Sequence, residues 1–268
     1  MKPGFADLVR AEFYAYTRFY KNNRVFLFMA FVWPYLLVLV LLGLGYLFGS
    51  PEIYARRMGV RNPVFFIASA SSVAMSSLII VEDVAGYTIY NRWNGTLPYI
   101  LLTPTTMAKQ LLAASLPSTL LSPAVTLTAI LPVAVYYEGL RGAAIVASLY
   151  GVIVLGMLPL AGLAVLIAGL VLIVREESNI ASSLSPFLLL VSGIFYPVTV
   201  LPEILQVVSE AVPLRYVVEF ARALASHGAA SSLFYAVYVL TLMAFAYNIV
   251  AAPMLSRIEE KVKQRGID

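Results

Sequence analysis

AAIVASLYGVIVLGMLPLAGLAVLIAGLVLIV, residues Ala143 to Val174, runs without one ionisable side chain. About 20 apolar residues already cross the hydrocarbon core of a bilayer as a helix. At ~1.5 Å per residue this stretch reaches roughly 48 Å, well beyond a core of about 30 Å. It must tilt, kink at Pro159, or project on one side. A transmembrane barrel would instead show segments of about ten residues alternating apolar and polar, and the chain has none of that pattern.

Working outward, similar runs recur on both sides. Span 1 covers about Val25 to Phe48 and is interrupted only by Pro34; span 2 covers about Pro63 to Val81. Span 3, about Leu111 to Tyr137, contains Pro117, Pro123 and Pro132 and should bend. Membranes tolerate such a bend when neighbouring helices satisfy the freed carbonyls. The quoted stretch is span 4. Span 5 is short, about Ile180 to Ile194, and span 6 runs from about Leu233 to Leu255. Gly45 and Gly49 make a GxxxG pair at the end of span 1, where a helix terminus is the simpler reading than a packing face. The expected fold is all-α, a polytopic membrane protein with six transmembrane helices.

Composition agrees. Hydrophobic residues make up 61% of the 268, charged residues 12%, and the mean hydropathy is +0.87. Soluble domains carry about 25% charged residues, so this chain has too few charges to coat a water-facing surface. It has no cysteine, which excludes disulfides and thiolate metal sites.

The polar segments organise the rest. In residues 1–24, Phe5, Leu8, Val9, Phe13, Tyr16, Phe19 and Tyr20 recur at helical spacing among five basic residues. This predicts an N-terminal amphipathic helix lying in the membrane interface. Residues 25–255 form the transmembrane domain, with a polar segment at 82–109. Residues 195–227 are apolar but punctuated by proline. Two short helices, Leu201–Val212 and Leu214–Ala225, are expected there as a re-entrant pair. Residues 256–268 form a charged tail. With the N-terminus inside, twelve basic residues fall on the cytoplasmic side and six outside. The bias places both termini in the cytoplasm of a multi-pass protein of the cell membrane. Arg56, Arg57 and Arg61 oppose that bias locally.

Several absences bound the chemistry. No GxxxxGK[ST] occurs, so no phosphate-cradling loop supplies ATP binding by that route. The single histidine, His227, cannot make a paired-histidine haem or a His-rich zinc site. The expected spans carry essentially no ionisable residue, whereas ion pathways usually do.

Two segments stand out. In the first, Gly95 and Pro104 bracket a short apolar run whose Leu97, Ile100 and Leu101 share one helical face. The second is Val191-Ser192-Gly193-Ile194-Phe195-Tyr196-Pro197, followed by Leu201-Pro202 and Val212-Pro213. In order and spacing the pair resembles the ABC-2 type permease family, the membrane subunits of ATP-driven exporters. Members carry a GTL-x-x-LL-x-[ST]-P segment after the second span and an SG-x-x-[FY]P…LP…P segment after the fifth. The corresponding residues here are Gly95, Thr96, Leu97, Leu101, Leu102, Thr103 and Pro104, with Ile100 at the first leucine of the pair and Leu102 at the variable position, then Ser192, Gly193, Tyr196, Pro197, Leu201, Pro202 and Pro213. One departure is Pro98, where the family often has an acidic residue; Glu82 and Asp83 are the nearby carboxylates.

The resemblance implies two such subunits, identical or related, paired with each other and with two cytoplasmic ABC ATPase subunits. ATP and Mg would be bound by those partners, and this chain would hold no cofactor or metal and perform no catalysis. The Gly95–Pro104 segment and the N-terminal helix would couple ATPase closure to the spans. Spans 2 and 5 would line the route, with Ser69, Ser72, Ser76, Ser178, Ser182 and Ser185 as candidate lining, although helix–helix hydrogen bonding is the simpler reading of any single serine. The cargo would be amphiphilic, lipid-linked or drug-like, moved among membrane lipids, and no nucleic acid is implied. A self-sufficient channel or secondary carrier is the alternative, and would work without an ATPase. An intramembrane enzyme acting on lipid would need convergent acid–base groups. Glu82, Asp83, Glu176 and Glu177 are dense carboxylates, and no metal-ligand spacing accompanies them.

Overall fold

The computed structural model describes residues 4–48, 50–173, 180–226 and 230–265. Among these residues the chain is helical, with no strand. Five helices are long and apolar enough to cross a membrane: Arg24–Gly43, Pro63–Trp93, Met107–Ala129, Leu140–Ile173 and Ser231–Gln264. The expected span 5 is a helix of 12 residues, Ile180–Val191, shorter than a crossing requires, and residues 174–179 before it lie outside the described residues.

The chain opens with α1 (Phe5–Asn22) and α2 (Arg24–Phe48), followed by the short α3 (Pro51–Met58). In α1 the inward stripe is Leu8, Val9, Glu12, Phe13, Tyr16 and Tyr20, the i, i+4 pattern of an amphipathic helix. It lies against α2 and the later helix α6. Next comes α4 (Pro63–Trp93). Pro63 occupies the first helical position, where its missing N–H costs nothing, and the Asn62 side chain accepts the Phe65 N–H at 3.0 Å. The sequence expectation ended this span at Val81. The helix instead continues to Trp93, because no proline interrupts it and a charged residue marks only the edge of an apolar environment.

A five-residue helix α5 (Leu97–Leu101) leads into α6 (Met107–Thr126). The expected bend of span 3 occurs as a 3-10 turn at Leu127–Ala129, before α7 (Leu131–Glu138). Pro132 has no N–H to offer the Thr128 carbonyl four residues back, and the Tyr35 hydroxyl donates to that carbonyl at 2.8 Å. Helix α8 (Leu140–Ile173) is continuous for 34 residues with Pro159 inside it. After α9 (Ile180–Val191), a turn of 3-10 helix at Val198–Val200 precedes α10 (Glu203–Glu210) and α11 (Pro213–Ser226). These two match the expected re-entrant pair within two residues. The last helix, α12 (Ala230–Arg265), is 36 residues long and absorbs most of the expected tail.

Helices α4 and α8 form the centre. Phe66, Val73, Ile80 and Val84 from α4 and Ile153, Met157, Leu160 and Val165 from α8 are buried. Around them pack α6, α7, α11 and α12. Close approach along α8 depends on small residues: a Cβ at Gly162 would stand 3.0–3.1 Å from atoms of Tyr247 and Asn248 on α12, and one at Gly169 would stand 3.1 Å from the end of Ile258. By contrast α2 presents Phe26, Phe28, Trp33 and Leu39 outward, and α12 presents Phe234, Tyr238, Phe245 and Ile249.

Candidate functional site

The segment between α4 and α6 is fixed by hydrogen bonds at both edges. Helix α4 ends where Gly95 turns the chain at φ +68, a left-handed conformation that costs a residue with Cβ about 1–2 kcal/mol. The Thr96 hydroxyl donates to Asn91 Oδ1 at 2.7 Å, and the Asn91 amide donates to the Tyr87 carbonyl at 2.8 Å. Leu97 and Leu101, one helical turn apart on α5, are buried. Removing each from water favours the docked segment by about 2 kcal/mol. Beyond α5 the Thr103 hydroxyl donates to the Ile100 carbonyl at 2.7 Å. The Gln110 amide reaches back to the Thr103 and Thr105 hydroxyls at 2.7 and 2.8 Å.

Two further clamps come from distant parts of the chain. The first four N–H groups of a helix lack intrahelical acceptors, and the N–H of Met107, which begins α6, donates to Glu259 Oε2 of α12 at 2.9 Å. The other Glu259 oxygen accepts from Lys263 Nζ at 2.7 Å. The Glu259 side chain is almost fully buried while Lys263 keeps access to solvent. Arg92 of α4 donates from Nη2 to the Val171 and Leu172 carbonyls at 3.1 and 3.3 Å, supplying positive charge where α8 ends. The loop is therefore tied to α4 and α6, the first residue of α6 is tied to α12, and the end of α4 is tied to α8.

Of the residues expected to couple, Leu97 and Leu101 face inward as anchors. Gly95, Thr96, Leu102, Thr103 and Pro104 are exposed. Leu102 is 80% exposed and Tyr99 73%, with Trp93 and Tyr90 also outward, so an apolar and aromatic relief faces away from the bundle. Asn91, Arg92, Gln110 and Glu259, which hold the segment, were not singled out from the sequence. The Asn91–Thr96 and Thr103–Gln110 pairs are local enough to have been found; the Glu259 contact joins residues 152 positions apart.

Helix α1 borders the same end. Burial raises the Glu12 carboxyl above the usual carboxylate range. The Tyr16 hydroxyl is pushed far above its ordinary value, by burial first, then by the Asp83 carboxylate and by its bond with Tyr20. The Tyr16 and Tyr20 hydroxyls are 3.3 Å apart. Glu82 and Asp83 themselves are exposed, and Glu176 and Glu177 lie outside the described residues.

At the opposite end, Gly193 turns the chain at φ +78, and a Cβ there would meet Val198 Cγ2 at 2.7 Å. Ser192 donates to the Leu189 carbonyl at 2.7 Å, and Tyr196 to the Leu190 carbonyl at 2.8 Å. Arg222 of α11 donates to the Gly193 carbonyl at 3.1 Å and lies 5.6 Å from the centre of the Phe66 ring. Pro197 leads into the 3-10 turn; Pro202 and Pro213 open α10 and α11, and Leu201 accepts from the Gln206 amide at 2.7 Å. The two N–H groups of Arg61 and Asn62 both donate to the Ala225 carbonyl at 3.1 Å, and Ser226 to the Gly59 carbonyl at 2.9 Å. These bonds fasten the end of α11 to the entry of α4.

The candidate lining serines are placed unevenly. Ser69, Ser72 and Ser76 are fully buried within the chain. Ser69 donates to the Phe65 carbonyl at 2.8 Å, Ser72 to the Thr126 carbonyl at 2.9 Å, and Ser76 pairs with the Thr126 hydroxyl at 2.8 Å. In this conformation Ser72 and Ser76 join α4 to α6. Ser185 is buried beside Ser77, Leu78, Val81, Leu188 and Leu214. Ser182 lies on α9, and Ser178, like His227, lies outside the described residues.

Arg92 and Lys263 lie near the Gly95–Pro104 segment, while Arg61, Arg215 and Arg222 lie with α11 at the other end. No protein-family model matches this chain, and no curated protein matches it at a significant level.

Proposed function

We propose that this chain is the membrane permease subunit of an exporter driven by ATP hydrolysis in separate ABC ATPase subunits. It crosses the cell membrane with both termini in the cytoplasm, α9 together with the turn after it making the sixth crossing. It works as a pair of permease subunits carrying an amphiphilic, lipid-linked or drug-like cargo outward. The observation that carries this reading is the fastened Gly95–Pro104 segment. It is anchored inward by Leu97 and Leu101, tied to α4 and to α6, and turned outward at Tyr99 and Leu102, and the first residue of α6 is clamped to α12. A push on such a segment reaches α4 and α6 directly and α12 through the start of α6. The missing phosphate loop supports placing the energy source in another protein.

In the proposed cycle, ATP closes the partner dimer, the segment follows, and the helices it holds change their packing against α8 and α9. Such a cycle requires that the two conformations bind ATP with different affinity. The Ser72 and Ser76 bonds keep α4 and α6 together, so the moving seam lies elsewhere, on the α9 side of α4.

The absence of cysteine makes a direct test possible. In a complex with its ATPase, Leu102→Cys should crosslink to the ATPase through a short bifunctional reagent, whereas the buried Leu97→Cys should not. Failure of Leu102→Cys, with the complex intact, would remove the segment from the contact.

A further inference from the structure

Arg56 and Arg61 lie at the end of the bundle away from the coupling segment, where contact with an ATPase gives them no role. There α3, the entry of α4, α7, the first turns of α8 and the end of α11 surround a cavity of about 1040 Å³. Pockets of about 300–1,000 Å³ hold drug-sized ligands, so this one accommodates a lipid head group with its glycerol and is far larger than an inorganic ion needs. Its ionic lining is balanced: Arg56 and Arg61 against Glu52 and Glu138. Among the described residues none of these four takes part in a salt bridge. Glu52 already accepts from Ser50 and feels the Arg56 charge, so a ligand reaches both signs of charge by sharing these contacts.

The surroundings indicate the depth. Tyr46 and Tyr137 line the cavity and are 67% and 50% exposed; the adjacent Tyr136 and Leu140 stand out still further. Exposed tyrosines beside apolar surface sit at the head-group level of a bilayer. A purely anionic ligand would meet Glu52 and Glu138, and a purely cationic one would meet the two arginines. A ligand with both charges on one short head satisfies all four.

We propose that this cavity binds the head group of a zwitterionic phospholipid or phospholipid-like amphiphile. Arg56 and Arg61 take the phosphate, for which the guanidinium fork is suited. Glu52 and Glu138 take the ammonium, with a tyrosine ring face as a second cation partner, and the acyl chains leave between Tyr46 and Tyr137. This deepens the transport reading by naming a cargo class. It is tested on the chain without its ATPase, so that its failure and the failure of the ATPase assignment are told apart.

The full chain in a non-ionic detergent is titrated with dioctanoyl phosphatidylethanolamine, dioctanoyl phosphatidylglycerol and free phosphoethanolamine, and bound ligand is counted by native mass spectrometry. Phosphatidylethanolamine should bind about tenfold more tightly than phosphatidylglycerol. Arg56→Gln with Arg61→Gln should abolish that binding, and Arg57→Gln, outside the lining, should leave it unchanged. Glu52→Gln with Glu138→Gln should erase the preference between the two lipids. Should the arginine variant fail to fold, the wild type still decides: phosphatidylethanolamine must slow phenylglyoxal modification of Arg56 and Arg61 more than of Arg57. Equal affinity for both lipids, or no protection of the two arginines, overturns the proposal. Phosphoethanolamine binding as tightly as the lipid would make this a site for a soluble metabolite and overturn the amphiphile.

Discussion

Replacing Glu259 tests whether the start of α6, next to the Gly95–Pro104 segment, is held from α12. Its carboxylate satisfies the Met107 N–H at 2.9 Å in a place where Met107 is 1% exposed, and no water can take over that bond. In Glu259→Ala a buried donor loses its acceptor, a cost of about 1–3 kcal/mol. Lys263 keeps enough exposure for water to compensate it, so breaking the ion pair adds at most about 1 kcal/mol. In Glu259→Gln the side-chain carbonyl still accepts from Met107, and only the charge is lost, about 1 kcal/mol. Lys263→Ala should cost less than either. The assay is hydrogen exchange of the full chain in detergent, read on peptides covering Met107–Leu111, beside a denaturant titration. A local loss of about 2 kcal/mol corresponds to exchange roughly thirtyfold faster at the start of α6 in Glu259→Ala. Glu259→Gln should show only a fraction of that, and peptides from the middle of α8 should be unaffected. Wild-type exchange in Glu259→Ala would refute the clamp. Equal effects of Ala and Gln would show that charge, not the hydrogen bond to Met107, holds the segment.

Three other perturbations probe separate features. At Gly95 the strain lies in φ and not in space, since a Cβ there would have nothing within 4 Å of it; Gly95→Val should lower transport per ATP hydrolysed, and Gly95→Asn, which tolerates the left-handed region, should restore most of it. Gly162→Ala pushes a methyl against the α12 backbone and should destabilise the chain by about 1–3 kcal/mol in a denaturant titration, while Gly151→Ala, with open space around it, should not. The raised Glu12 carboxyl means that the docked α1 prefers the protonated acid. The stabilisation is full below the ordinary carboxylate pKa and is lost as pH rises through the raised value. Protease protection of α1 should therefore increase on acidification, and Glu12→Gln should keep it high across the range.

The helical class and much of the order of elements were legible because each rests on local patterns. Apolar runs located the long helices, and Pro63, Pro202 and Pro213 marked where α4, α10 and α11 begin. Glycine at positions 95 and 193 marked turns that the backbone makes at positive φ. The helix ends were less legible. Glu82 and Arg257 end apolar stretches but do not break a helix, so α4 and α12 continue through them. The direction of Ser69, Ser72 and Ser76 depended on which face of α4 meets α6, a tertiary fact. Glu259 looked like a tail charge because its partner, a backbone N–H, has no sequence signature. Within the coupling segment, spacing identified Leu97 and Leu101 as one face but not which way that face points.

The proposed function places the energy source of this chain in another protein. The most direct measurement is to purify the chain from its native membranes, reconstitute what co-purifies into liposomes, and assay ATP hydrolysis alongside transport of a fluorescent zwitterionic phospholipid. A nucleotide-binding subunit at equal stoichiometry is expected, with hydrolysis coupled to lipid movement. Recovery of the chain alone, moving the lipid at the same rate with or without ATP, would contradict it.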